Sequence, residues 1–279
     1  MSGAGVTLVA DFSGLVVRFR GLDDALAGAL ASRWAPFIAS QAATPWLDVA
    51  VSAADRTIET GRAMRPSLTG EVRDGSARFR SDEGEIAIDA AGLARVRLGR
   101  GDDAWRFWGL VNLTAAACAF HMPSRPGAVL HAAGIVVDGR AFVLSGPEGA
   151  GKSTFARAAR EGGARVIGDD TVLIDGATGR LELLGWPFRA DEATSPGPGR
   201  WPVAAILIPR WGRAPRIDPA DRLAVEARPT ANLLYMASGW GRDARLDALV
   251  PFLAEAVPHR GLTFAPDPSF VPILRAAAF

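Results

Sequence analysis

Residues 142–153 read Phe-Val-Leu-Ser-Gly-Pro-Glu-Gly-Ala-Gly-Lys-Ser. The first four are an apolar run of strand type. The last eight, Gly146, Pro147, Glu148, Gly149, Ala150, Gly151, Lys152 and Ser153, fit the pattern G-x-x-x-x-G-K-[ST] at every fixed position. Residues 153–161 then have helical spacing, and Gly162-Gly163 supplies a helix stop. Strand, glycine-rich loop and helix in that order make this a phosphate-binding loop rather than a chance cluster of glycines.

Each residue type in the loop has a physical task. Gly146, Gly149 and Gly151 let successive backbone N–H groups turn inward and form an anion nest. The helix start adds the positive end of its dipole. Lys152 brings a compact ammonium, and the hydroxyl of Ser153 suits Mg²⁺. Thr154 completes the set expected to line a bound nucleotide. Lys152 is also the only lysine in the chain, all other basic residues among the 31 being arginine. A planar guanidinium does not replace a point charge at this position.

Outward from the loop, residues 129–137 read as a strand, Asp138-Gly139 as a hairpin turn, and 141–145 as the return strand that enters the loop. Downstream, 165–168 is a short strand ending on Asp169-Asp170. Residues 171–175 and 181–186 form a further hairpin, and 187–199 is a candidate lid carrying Arg189, with Arg200 just after it. A buried strand is expected over 203–209 and a last one over 261–264. Helices are expected over 230–237, 243–256 (kinked or split at Pro251) and 269–278.

Pro123-Ser124-Arg125-Pro126-Gly127 breaks the chain and divides it into residues 1–122 and 123–279. The first part reads as strands at 6–11, 15–20, 47–52, 77–80, 85–89 and 94–98, with helices at 22–35 and 105–122. It carries no recognisable chemistry. It has room to present a substrate, to pair two copies into a homo-oligomer, or to complete the fold. Hairpins flank the loop on both sides, so the fold class expected is mixed α/β, not a doubly wound sheet of strand–helix alternation.

Composition narrows the functions. The chain has 279 residues, 49% hydrophobic and 22% charged, enough for a sizeable core. The formal net charge of +1 gives no reason to expect a nucleic-acid partner. No apolar run reaches the length of a membrane span, and the N-terminus lacks signal-peptide features, so the expected location is the cytoplasm. One cysteine, Cys118, allows no internal disulfide. Three scattered histidines make no zinc site.

Two carboxylates, Asp169 and Asp170, end a strand soon after the loop. Beside phosphates and metal, such a side chain either holds Mg²⁺ or accepts the proton of an attacking hydroxyl. Adjacent strand residues point to opposite faces, so one of the two is expected to face the substrate. His131, on the strand before the loop, is placed to hydrogen-bond one of them.

The segment 130–175, LHAAGIVVDGRAFVLSGPEGAGKSTFARAAREGGARVIGDDTVLID, resembles the catalytic domain of HPr kinase/phosphorylase and of HPr kinase-related proteins. The shared features are the Leu-His opening, the Asp-Gly turn, the loop, the Gly-Gly helix end and the double aspartate. The resemblance implies a phosphoenolpyruvate carboxykinase-like fold with the loop in a mixed sheet, preceded here by a smaller α+β domain. It implies ATP, Mg²⁺ and phosphoryl transfer to a serine hydroxyl. It also implies that His131 and Asp169 form the acid/base pair and that Asp170 lies by the metal. Thr154 stands where true HPr kinases usually have Glu, and their second glycine-rich signature is not found. The chain is therefore more similar to the related enzymes, including lasso-peptide kinases, that act on a serine of a small peptide.

The expectation is thus a serine kinase for a peptide or small protein. The other classes open to the loop are an ATPase and a non-catalytic nucleotide-binding regulator. The chain has no Leu-Ser-Gly-Gly signature, and the Asp pair follows the loop too soon for the usual Walker B position, which disfavours a transport ATPase.

Overall fold

The computed structural model describes residues 5–40, 44–54, 68–73, 75–188, 197–220, 233 and 244–279, without the side chains of 244–247 and 250. These residues form a mixed α/β protein with two mixed sheets, of seven and nine strands, and few helices. The described residues fall into two compact units, one up to His121 and one from Met122.

The first unit runs β1 (Val6–Asp11), β2 (Val16–Leu22), α1 (Asp24–Arg33), β3 (Leu47–Ala53), β4 (Thr69–Arg73), β5 (Ser76–Ser81), β6 (Gly84–Ile88), β7 (Leu93–Leu98) and α2 (Asp103–His121). Its strand order is β1-β2-β3-β7-β6-β5-β4. The pairs β2–β3 and β3–β7 are parallel and the others antiparallel. Period-2 patterning decides which side is covered: Ala77 and Phe79, Ile86 and Ile88, and Val96 and Leu98 are buried. Helix α2 packs on β5, β6 and β7. Cys118 is buried in α2, where desolvation pushes its thiol pKa up and leaves it inert. α1 is capped by Asp23, whose Oδ1 accepts from the Leu26 N–H at 2.9 Å.

The second unit runs β8 (Gly127–Leu130), β9 (Ala132–Val137), β10 (Arg140–Ser145), α3 (Lys152–Glu161), β11 (Arg165–Gly168), β12 (Val172–Asp175), β13 (Glu182–Leu184), β14 (Arg200–Trp211), β15 (Arg216–Pro219), α4 (Ala244–Glu255), β16 (His259–Phe264) and α5 (Val271–Ala276). The order is β11-β9-β10-β14-β13-β12-β8, with β16 beside β14 and β15 beside β16. β10, β14 and β16 are successive parallel neighbours. β9 is antiparallel to both β10 and β11. The sheet is covered on both sides, which explains its near-continuous apolar strands. Phe142 and Leu144 join Phe155, Leu207, Phe264 and Phe270 on one side. Val143 joins Ile167, Ile174, Leu183 and Leu253 on the other.

Local chemistry fixes the turns. Asp138 and Gly139 both have positive φ, 48° and 78°, as a two-residue type I′ turn requires. After α3, Gly163 sits at φ 81°. Its N–H bonds Arg160 O at 3.0 Å, and the Ala164 N–H bonds Ala159 O at 2.9 Å, the paired bonds of a Schellman motif.

Several expectations are corrected. The strand expected over 129–137 is two strands split at His131. β8 pairs with β12, whereas β9 pairs with β10 and β11, and the chain changes partners between them. Pro251 does not split its helix, since it lies inside α4. The helix expected over 269–278 is a 3₁₀ turn, Pro268–Phe270, followed by α5. β4 and β15 were not expected. Of the helix expected over 230–237 only Leu233 is described, in an antiparallel bridge to Leu130, and most of the lid at 187–199, with Arg189, lies outside the described residues. Among the described residues no helix is long and apolar enough to cross a membrane.

Candidate nucleotide site

The loop after β10 is built by its glycines. Gly149 and Gly151 have φ of 77° and 96°, the left-handed region that disfavours residues with a Cβ. Gly151 is the N-cap of α3, and its carbonyl accepts from the Phe155 N–H at 2.8 Å. Phe155 is fully buried and stacks on Phe270 with centroids 4.9 Å apart. Burial of one such ring contributes about 2 kcal/mol, so the N-terminus of α3 is anchored from below. Pro147, Glu148, Gly149 and Ser153 are exposed, Ala150 and Thr154 half-buried, and Gly146 buried.

Lys152 is 6% exposed. Its Nζ donates to the carbonyl oxygens of Gly146 and Pro147, each at 2.9 Å. The ammonium thus closes over the loop from which it springs and uses two of its three donors. Burial lowers its pKa, while the charges of Asp170 and Glu148 push it back up.

Asp169 and Asp170 follow β11 at the same sheet end as the loop. The register places Ser145 opposite Ala132, and the Ala132 N–H donates to Asp170 O at 3.1 Å. One strand therefore separates the aspartates from the loop strand, a lateral distance of about 10 Å. His131 Nδ1 lies 3.1 Å from Asp170 Oδ1, and Thr171 Oγ1 donates to Asp170 Oδ2 at 3.4 Å. The Asp170 pKa is lowered, first by the His131 hydrogen bond, against desolvation, with lesser help from the charges of His131 and Lys152. Asp169 is half-buried. Its Oδ1 is inaccessible and has no hydrogen-bond partner among the described residues.

Of the two aspartates that His131 was placed to reach, the structure brings it to Asp170. The cause is the register: His131 immediately precedes β9, whose first residue is already bonded to Asp170. Arg200 is also not where a phosphate would need it. Its guanidinium bonds Asp175 Oδ2 at 2.7 Å and Glu182 Oε2 at 2.9 Å. Two neighbours of the loop escaped sequence reading. A Cβ added at Gly146 would fall 2.7 Å from Pro209 Cγ, and one at Gly151 would fall 2.6 Å from Trp211 Cζ2. Both belong to the end of β14, and no local pattern announces a non-local strand neighbour.

A nucleotide with Mg²⁺ fits these residues. Gly146, Gly149 and Gly151 add no side chains to the loop, Lys152 uses two of its three donors on loop carbonyls, and a buried oxygen of Asp169 has no partner among the described residues. No group of three or more His, Cys, Asp or Glu able to hold a metal occurs among the described residues. Mg²⁺ in phosphate sites needs fewer, because substrate oxygens and water supply the rest. A cavity of about 320 Å³ on the first unit, lined by Arg73, Arg78 and Arg95 among others, contains none of these residues. No protein-family model matches this chain, and no curated protein matches it.

Proposed function

We propose that the chain is an ATP-dependent kinase of the HPr kinase-related kind, with a phosphoenolpyruvate carboxykinase-like second domain, acting in the cytoplasm on a serine hydroxyl of a peptide or small protein. The observation that carries this reading is the juxtaposition of the glycine loop and its buried lysine with a carboxylate pair at one end of one sheet. ATP with Mg²⁺ supplies the transferable phosphoryl group and the charge neutralisation around it.

The chain's own residues have separate tasks in this reading. The amides of 146–153 hold the phosphates, and Lys152 exchanges its two carbonyl partners for phosphate oxygens. Asp170, held ionised by His131, is the carboxylate for Mg²⁺ together with Ser153. Asp169, whose Oδ1 has no partner among the described residues, accepts the proton as the acceptor oxygen bonds to the γ-phosphorus and ADP leaves. His131 is a positioning residue for Asp170.

The test is transfer of labelled γ-phosphate from ATP to serine-containing peptides. Labelled peptide supports the kinase. ATP consumed with water as the only acceptor points to an ATPase, and binding without turnover to a regulator.

A further inference from the structure

Backbone amides and a lysine grip phosphate charge but are indifferent to what lies beyond the α-phosphate. Discrimination between a nucleotide and an inorganic polyphosphate needs a surface for the base. We propose that Trp211 is that surface: the base of the donor stacks on its indole, so the site takes a nucleoside triphosphate in preference to pyrophosphate or polyphosphate. This rests on the phosphoryl-transfer reading above.

Topology places Trp211 correctly. β10, β14 and β16 run parallel side by side, so their C-terminal ends open at one end of the sheet, where such sheets receive ligands. Leu144 is level with Leu207. β14 therefore continues past the point where β10 gives way to the loop, and it ends on Trp211. Alternation sends Pro209 and Trp211 to one side and Arg210 to the other. The contacts agree: Pro209 lies against Gly146 and Trp211 against Gly151, while Arg210 lies over Gly261.

Trp34 and Trp186 are 1% and 0% exposed, Trp108 is 39% exposed, and Trp211, at 55%, is the most exposed of the described tryptophans. It is not loose, because the Phe264 ring supports it at 5.0 Å and 31°, and Phe264 is fully buried against Phe155. Isolated exposed apolar residues are common on protein surfaces. This one touches the glycine that immediately precedes Lys152. An aromatic ring supported on one side and open to solvent is suited to stack a base.

The test is isothermal titration of the full chain with MgATP and, separately, with magnesium tripolyphosphate, using Trp211→Ala, Trp211→Phe and Lys152→Ala. Trp211→Ala is expected to weaken ATP binding about tenfold and change tripolyphosphate binding by less than about twofold, with Trp211→Phe keeping most ATP affinity. Unchanged ATP affinity in Trp211→Ala overturns the proposal, as does equal loss of both ligands, which makes Trp211 a prop for the loop. Wild-type affinity as high for tripolyphosphate as for ATP also overturns it, yet leaves the loop reading standing. If wild type binds neither ligand and Lys152→Ala changes nothing, the loop reading fails too.

Discussion

His131 Nδ1 lies 3.1 Å from Oδ1 of Asp170, and the neighbouring Asp169 is left with an oxygen that has no partner among the described residues. Two adjacent carboxylates thereby acquire different environments. One is fixed in its ionised form at the surface, and the other keeps a lone pair in a water-poor position. Divergent environments at a carboxylate pair are the usual sign of divided labour.

The first prediction concerns pH. An aspartate ordinarily titrates near ~3.9, and Asp170 is held below its usual value, mainly by His131. A depressed carboxyl pKa contributes stability above the ordinary value and loses it as pH falls through the folded-state value. His131→Ala should therefore move the Asp170 titration upward, followed by carboxyl-carbon NMR. Melting temperature should fall near neutral pH and converge with wild type in strong acid. An unmoved titration would show that the contact is not made in solution.

Asp169→Asn separates binding from transfer. Asn keeps the volume and removes the proton acceptor. ATP binding should stay near the wild-type level, while transfer to peptide falls by about 10²–10⁴-fold, the usual share of general-base catalysis. Retained transfer would move the base role to Asp170.

The site was partly legible in the sequence because its signals are local. Gly146–Ser153, Asp138-Gly139 and Gly162-Gly163 each act through backbone freedom within a few residues, and that chemistry survives without knowledge of the fold. What the sequence left open or missed was non-local. The partner of His131 depends on where β9 starts against Asp170, and one residue of register decides it. β4 was missed because Thr69–Arg73 lacks an apolar alternation and lies at the sheet edge. β14 is longer than expected because β13 pairs with its beginning and β16 with its end. Trp211 reaches the loop only through that extension.

Lys152 permits an unusually clean chemical test, since the chain has no other lysine. Burial lowers its pKa, so a larger fraction is the neutral, nucleophilic amine at mildly alkaline pH. An amine acylating reagent should modify Lys152, and MgATP should protect it, read by mass spectrometry of the peptide around 152. Lys152→Ala should weaken ATP binding by about ten- to a hundredfold, as loss of a charged hydrogen bond does. Acylation unaffected by saturating MgATP would place the phosphates elsewhere.

The last prediction tests the frame that holds the site. Asp175 is fully buried and takes Arg125 Nε and Nη2 at 3.0 and 2.7 Å and Arg200 Nη2 at 2.7 Å. Glu182 shares Arg200, and the Thr178 hydroxyl donates to Glu182 at 3.1 Å. This network ties the turn before β8, β12, β13 and the start of β14 together, at the end of the sheet remote from the loop. Removing the carboxylate leaves two guanidinium groups without their buried partner, so Asp175→Ala should cost about 3–5 kcal/mol in denaturant unfolding. Arg200→Ala should cost less, because Arg125 still pairs with Asp175. If Arg200→Ala left stability intact but abolished transfer at saturating ATP, the arginine would belong to the reaction and its bonds to Asp175 and Glu182 would be a resting arrangement.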